Sequence, residues 1–338
     1  METCSLITSS IKPSLCKFQS RNLRFVCNSV SDKNKPSNRM FILGFGYVAQ
    51  IFAQELRKDN WKVSGTCTST IKKEKLQSMG FDVELFAANN KELRCLDSMI
   101  DSTHLLVSIP SIVDVGDPVL YQHVGLLQSQ LCKGNLQWLC YLSSTSVYGD
   151  CGGAWVDEDY PTTPTKDSSK ARLKAEKDWL SLGCDLGLSV QVLRLGGIYG
   201  PGRSAVDTIV KKGSLSESQR MRGAKQYTSR IHVHDICQAL KGSINKPSSG
   251  RIYNVVDDDP ASRGEVFAFA EALIKENWPG KFIEARDSSC NNMLASTRGG
   301  EKRVLNARLK NELNVKLLYP TYREGLASIV QSMQNPFG

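Results

Sequence analysis

The chain has 338 residues, 43 Lys and Arg against 34 Asp and Glu, a formal net charge of +9 and 41% apolar residues. Seven of the basic residues (Lys12, Lys17, Arg21, Arg24, Lys33, Lys35, Arg39) but only two acids, Glu2 and Asp32, fall in residues 1–39, so the rest of the chain is close to balanced. With no basic-aromatic stripe this speaks against nucleic acid as a partner, and no apolar run approaches the roughly 20 residues of a membrane-spanning helix.

Residues 1–38 are basic, rich in Ser and Thr, poor in acids and without the apolar core of a secretory signal. That is the composition of a disordered organelle transit peptide, with an inert tail as the plainer alternative. Val26-Cys27-Asn28 resembles the cleavage context of chloroplast precursors, so the chloroplast stroma is expected first and the mitochondrion second. The eleven cysteines form no Cys-x-x-Cys pair and no Cys/His cluster at zinc spacing. They read as free thiols in a reducing compartment, with no metal site.

From residue 39 onward the pattern is that of one large α/β domain, 39–338. Met40-Phe-Ile-Leu-Gly-Phe-Gly-Tyr-Val-Ala-Gln50 reads as an apolar strand, a Gly-x-Gly-x-x-Ala turn and the start of an amphipathic helix. Gly44 suits the tight turn, Gly46 allows close approach of a pyrophosphate, and Ala49 keeps helix and strand together. The helix N-terminus then aims amide N–H groups at the phosphates, with Tyr47 and Val48 in its first turn. Further strands follow at 61–67, 81–86, 104–110, 137–143, 189–195 and 251–256, with helices at 71–79, near 93–100 and at 169–182. Alternating strands and helices predict a doubly wound parallel Rossmann sheet with helices on both faces, its ligand at the carboxyl ends of the strands. Stretches near 200–230 and 260–318, richer in Gly, Pro and charge, read as insertions that build a small C-terminal substrate lobe.

Several later motifs stand in register with this plan: Ser143-Ser-Thr-Ser-Val-Tyr-Gly149, Arg194-Leu-Gly-Gly-Ile-Tyr-Gly-Pro-Gly202, Arg230-Ile-His-Val-His-Asp-Ile236, Tyr253-Asn-Val-Val-Asp-Asp-Asp-Pro260 and Asn306-Ala-Arg-Leu-Lys-Asn-Glu-Leu313. With the glycine turn they make the chain resemble the extended short-chain dehydrogenase/reductase superfamily, the NAD-dependent epimerase/dehydratase group, in a plant chloroplast form. The resemblance implies a dinucleotide cofactor touching Ser108, Ile109, Ser143 and Ile198 as well as the glycine turn, and a homodimer is common in that superfamily. It also implies a Tyr-x-x-x-Lys pair on the helix after the fifth strand, the Lys lowering the Tyr pKa so that the phenolate acts as base. Here Pro164, Leu173 and Glu176 anchor that stretch and put Ser168 and Arg172 at the two positions. A serine is far less acidic than a phenol and Arg is never deprotonated, so the usual relay is missing, although Arg172 can still hold the cofactor. The family's catalytic hydroxyl persists as Ser144, whereas Thr145 and Ser146 replace the Asp-Glu pair of sugar dehydratases. This is the pattern of the superfamily's atypical branch.

The end of the second strand, Thr66-Cys-Thr-Ser69, carries no acid to bond a ribose 2′-hydroxyl. Thr66, Thr68 and Ser69 could bond a 2′-phosphate and Lys72 or Lys73 add charge, which favours NADP over NAD. Thr145, Arg203 and Arg230 are the candidate substrate contacts, the two arginines for an anionic group such as that of a nucleotide sugar, with surface ion pairs as the alternative. Tyr148 reads as packing, His232 and His234 as structural residues of a strand leading to a helix that Asp235 caps, and Asp257 to Asp259 as a solvated turn. Three functions follow: an NADP-dependent oxidoreductase or epimerase-like enzyme with a nonstandard proton donor, a catalytically silent dinucleotide-binding sensor or assembly protein, and, least supported, an RNA-associated chloroplast protein.

Overall fold

A computed structural model of the chain describes residues 38–87, 93, 95–211, 226–280, 302–334, 336 and 337. The expected leader up to residue 37, and the parts of the expected lobe at 212–225 and 281–301, lie outside the described residues.

The seven expected strands are β1 (Arg39–Leu43), β2 (Lys62–Cys67), β3 (Asp82–Leu85), β4 (His104–Val107), β5 (Trp138–Ser144), β7 (Val190–Leu195) and β10 (Arg251–Val255). They form one parallel sheet in the order β10-β7-β5-β4-β1-β2-β3. The strand order reverses between β1 and β4, which opens a crevice at the carboxyl ends of those two strands. Two small sheets add β6 (Ala154–Val156) with β11 (Lys302–Val304), and β8 (Gly197–Tyr199) with β9 (Arg230–His232).

Side chains on β1 alternate between two cores, as strand geometry requires. Met40 and Ile42 join the face covered by α1 (Tyr47–Lys58) and α7 (Val233–Asn245), where Phe52, Ala53 and Leu56 of α1 are buried. Phe41 and Leu43 join the face covered by α4 (Pro118–Leu131) and α5 (Asp167–Leu186), around Trp179 and Tyr141. Phe52 and Trp179 are both fully buried, and each such side chain contributes roughly 1.5–3 kcal/mol or more. The shorter α2 (Thr70–Ser78) and α3 (Leu96–Ile100) complete the crossovers around β3. A third cluster gathers α6 (Ala205–Val210), α8 (Arg263–Asn277) and α10 (Tyr322–Ser332) through Val206, Ala270, Ile274 and Ile329. The helix α9 (Ala307–Leu313) instead packs on β10 and α7. Among the described residues no helix is long and apolar enough to cross a membrane.

Some details depart from the sequence reading. Helix α4 was not among the expected elements; Asp117 Oδ1 accepts the N–H groups of Val119 (2.9 Å) and Leu120 (3.0 Å), and Pro118 occupies the first turn. Helix α5 runs longer than 169–182 because nothing stops it until Gly187, which takes φ +63° and ends it as a left-handed cap. Asp235 is not the cap of α7. His232 is, its Nδ1 accepting the His234 N–H at 3.3 Å, and His234 itself lies inside the helix. The buried Asp235 carboxylate instead accepts the backbone N–H groups of Leu318 (2.5 Å) and Tyr319 (3.2 Å). Of the three aspartates after β10, Asp257 departs from the expected solvated turn, being 1% exposed, while Asp258 is exposed and pairs with Lys310, and the partly exposed Asp259 pairs with Arg323.

Candidate dinucleotide cleft and adjoining cavity

The turn after β1 is built from behind. Gly44 takes φ +92°, and a Cβ there would lie 2.8 Å from Ile109 Cγ2, so only glycine fits. Its N–H donates to Thr66 Oγ1 at 3.0 Å and the Phe45 N–H to the Thr66 carbonyl at 2.8 Å. Thr66, 1% exposed, therefore holds the turn from inside rather than presenting its hydroxyl outward. Ala49 is fully buried and lets α1 approach the sheet.

Helix α1 opens at Gly46 with no side-chain cap and no acid in its first turn, while Arg57 and Lys58 sit in its last. Its N-terminal amides and the positive end of its dipole are thus left for an anion. A Cβ on Gly46 would meet only Ser108 Oγ, 3.9 Å away. The space that glycine leaves belongs to a cleft of about 270 Å³. Gly46, Tyr47 and Val48 form one wall of it, Ser108 and Ile109 after β4 the floor, and Ser143, Ser144, Arg172 and Ile198 the far side. Pro110, Leu142, Leu195 and Gly196 line it too. Leu195 and Gly196 belong to the Arg194–Gly202 motif, whereas only their position at strand ends could have marked Pro110 and Leu142. Thr68 and Ser69 stand outside this cleft, exposed at the end of β2, where Ser69 Oγ accepts the Lys72 N–H and caps α2.

At the end of β5 the two serines have opposite polarity. Ser144 Oγ accepts the Ser146 N–H at 3.2 Å, capping the short 3-10 turn Thr145–Tyr148, so its own proton is free to be donated. Ser143 Oγ donates to Glu176 Oε1, so its lone pairs remain. Glu176 in turn receives Arg194 Nη2 at 2.8 Å, both side chains being buried. Arg194 Nη1 donates to Tyr148 Oη (3.0 Å), which donates to Asn254 Oδ1 (2.8 Å). Tyr148 is therefore more than packing: it links Arg194 to Asn254 in a buried polar chain behind the cleft wall. Thr145, expected as a substrate contact, is 8% exposed inside the 3-10 turn. Ser168 is exposed in the first turn of α5 and does not line the cleft, whereas Arg172 does, its Nη1 3.4 Å from the Leu142 carbonyl. Tyr47 is the cleft's one phenol; burial, partly offset by Arg203, pushes its pKa up to about 12.

A second cavity of about 420 Å³ adjoins the first, and Ile198 and Arg203 border both. Arg203 lies over the Tyr47 ring, 5.5 Å from its centroid, and Tyr47 Oη donates to the Pro201 carbonyl at 3.0 Å. Arg230 is in the wall of the second cavity but is largely spoken for. Its guanidinium donates to Thr228 Oγ1 (2.5 Å) and to the carbonyls of Ala261 (2.6 Å) and Asp259 (3.3 Å). Burial lowers its pKa and raises that of neighbouring Asp257 well above the carboxylate range.

The profile of the NAD dependent epimerase/dehydratase family matches residues 126–256. Protein YeeZ of Escherichia coli is 28% identical over 288 residues, 83% of this chain and 96% of its own. A conserved protein of unknown function from Silicibacter pomeroyi is 33% identical, with a TM-score of 0.69, 87% of this chain and 98% of that one being covered. The dTDP-glucose 4,6-dehydratase of Bacillus anthracis, solved with NAD, shares the fold at a TM-score of 0.67 with 19% identity, over 88% and 96% of the two chains. With the glycine turn, the parallel sheet and the cleft at its switch point, the match over residues 126–256 relates the chain to the NAD-dependent epimerase/dehydratase superfamily.

Proposed function

We propose that the protein binds a dinucleotide in the cleft, NADP in preference to NAD, and uses it as an oxidoreductase or epimerase-like enzyme on a small anionic substrate in the adjoining cavity. The observation that carries this reading is the continuity of the two cavities through Ile198 and Arg203, with open helix amides on one side and an exposed arginine on the other. The Bacillus anthracis enzyme of the same fold holds NAD, and a Thermotoga maritima epimerase of that fold holds UDP-glucose, so a nucleotide sugar is one substrate class to test. The preference for NADP is supported by exposed Thr68 and Ser69 and half-exposed Lys72 and Lys73 beyond β2, a setting that suits a phosphate better than a ribose hydroxyl.

A bound nicotinamide supplies or accepts a hydride. The chain's own contribution is orientation: Arg172 and Ser143 hold the cofactor end, and the free Ser144 proton faces a substrate oxygen, where it stabilises developing negative charge. Arg203 anchors the anionic group. A second reading, a catalytically silent dinucleotide-binding sensor, is favoured by one feature: among the described residues no His, Cys or carboxylate lines the cleft, and Tyr47 does not ionise near neutrality.

The test is NADPH titration of the full chain, followed by turnover assays on carbonyl compounds and nucleotide sugars. Binding with turnover that Ser144→Ala reduces at least tenfold and Ser168→Ala leaves within twofold supports the enzyme. Binding without turnover selects the silent reading, and no dinucleotide binding rejects both. We further propose that the protein resides in the chloroplast stroma, on the strength of the basic, Ser-rich start. A fluorescent fusion of residues 1–45 should enter plastids; a cytosolic signal would overturn this, and a mitochondrial one would select the other organelle.

A further inference from the structure

We infer that the cleft selects the reduced form of its dinucleotide and that Arg172 sets this preference. The inference rests on the dinucleotide reading above and adds to it a redox direction.

The strand order fixes which half of a dinucleotide lies where. The amides at the start of α1 take the pyrophosphate, and the adenosine ribose is recognised at the end of β2. The nicotinamide half then extends to the other side of the switch point, over β4 and β5. That side is where Arg172 enters the cleft from α5, tethered to the Leu142 carbonyl of β5.

The charges lining the cleft are all of one sign. Arg172 and Arg203 are its charged side chains, and neither pairs with a carboxylate among the described residues. Two acids lie behind the wall, and both are occupied; a third, Asp207, lines the adjoining cavity near Tyr47 and accepts the Ser204 hydroxyl at 2.5 Å. Glu176 is neutralised by Arg194 through contacts at 2.8 and 3.2 Å, and Asp117 caps α4 and accepts Trp179 Nε1 at 2.9 Å. Tyr47 stays a neutral phenol. Among the described residues, therefore, no carboxylate lines the cleft itself.

An oxidised nicotinamide ring carries a full positive charge and a reduced one carries none; every other charge on the molecule is the same. A guanidinium does not deprotonate, so Arg172 opposes the oxidised form at any physiological pH and leaves the reduced form unopposed. Coulomb's law gives the scale: a unit charge ~7 Å from another, at an effective dielectric constant of ~40, changes an affinity roughly eightfold. As an enzyme, such a site would run toward reduction. As a silent binder, its occupancy would follow the ratio of NADPH to NADP⁺.

The experiment is calorimetric titration of the full chain with NADPH and, separately, with NADP⁺. NADPH should bind at least fivefold tighter in wild type. The ratio should fall below twofold in Arg172→Gln, persist in Arg172→Lys, and shrink as salt is raised. Because the reading is a ratio within one variant, a uniform loss of affinity from disturbed packing does not mimic it. Equal affinities in wild type, tighter NADP⁺, or a ratio unchanged by Arg172→Gln would overturn the inference while leaving dinucleotide binding intact. Failure of both nucleotides to bind would overturn the cleft assignment itself, and this inference with it.

Discussion

Replacing Glu176 with Ala should remove about 3–5 kcal/mol of folding stability, the largest loss expected from any single substitution near the cleft. Glu176 is 1% and Arg194 3% exposed, so the pair sits where water cannot compensate a lost partner. Arg194 gives Nη2 to Oε2 at 2.8 Å and Nε to both carboxylate oxygens at 3.2 Å, and its guanidinium lies over the Tyr148 ring at 4.9 Å. Removing the carboxylate leaves a buried cation whose one hydrogen-bond partner among the described residues is Tyr148 Oη, and strips Ser143 of its acceptor. The attraction within the pair is not itself a large net gain, because burying both charges costs nearly as much as their pairing returns. The double replacement Glu176→Leu with Arg194→Met should therefore lie within about 2 kcal/mol of wild type, far above either single change. Urea denaturation of Glu176→Ala, the two single changes Glu176→Leu and Arg194→Met, and the double variant measures this. A Glu176→Ala loss below about 1 kcal/mol would mean that the interior around Arg194 is wet or yielding.

That pair also shows where reading the sequence stops. The seven strands of the main sheet and the glycine turn were legible because each is local: an apolar run of five to seven residues, or a fixed spacing of small residues before an amphipathic helix. Ser143, Glu176, Arg194, Tyr148 and Asn254 are scattered over more than a hundred positions and become neighbours only when β5, β7 and β10 lie side by side with α5 across them. Nothing in the spacing of Tyr148 distinguishes a packed ring from a hydrogen-bonded one. The same limit explains Asp257, which looks like a turn residue beside two more aspartates and a proline but is covered by β9 and the returning C-terminal chain. Helix α4 is a different case. Asp117-Pro118 is a readable start signal, an acidic cap followed by proline in the first turn, and it could have been found. Within the site, residues with a chemical reason to face the cleft were brought together: Gly46, Ser108, Ser143, Ser144 and Arg172. Thr66 was assigned by its place at a strand end, and its hydroxyl turned inward because the Gly44 N–H needed an acceptor.

The glycine turn supplies the second large effect. Gly46→Val should weaken NADPH binding about a hundredfold, near 2.7 kcal/mol, with stability almost unchanged. Two glycines in one motif answer differently because their surroundings differ. Gly44 sits at φ +92° with Ile109 Cγ2 2.8 Å from where a Cβ would be, so a side chain there strains the backbone and collides with the floor of the cleft. Gly44→Val should therefore destabilise the fold and report little about binding. Gly46 has φ −76° and ψ −169°, a conformation open to any residue, β-branched ones included, and its Cβ would find nothing closer than Ser108 Oγ at 3.9 Å. The protein can accept the valine. What cannot accept it is a phosphate approaching the unpartnered amides of the first turn of α1, because the new methyl groups occupy the path to them. Losing two such charge-assisted hydrogen bonds, at about 1.5–3 kcal/mol each and partly replaced by water, accounts for the size of the effect. Fluorescence titration with NADPH, alongside thermal melts of both variants, separates the cases. A Gly46→Val protein that melts with wild type and binds within threefold of it would show that phosphates do not pass Gly46, and the pyrophosphate would then have to lie elsewhere along the strand ends.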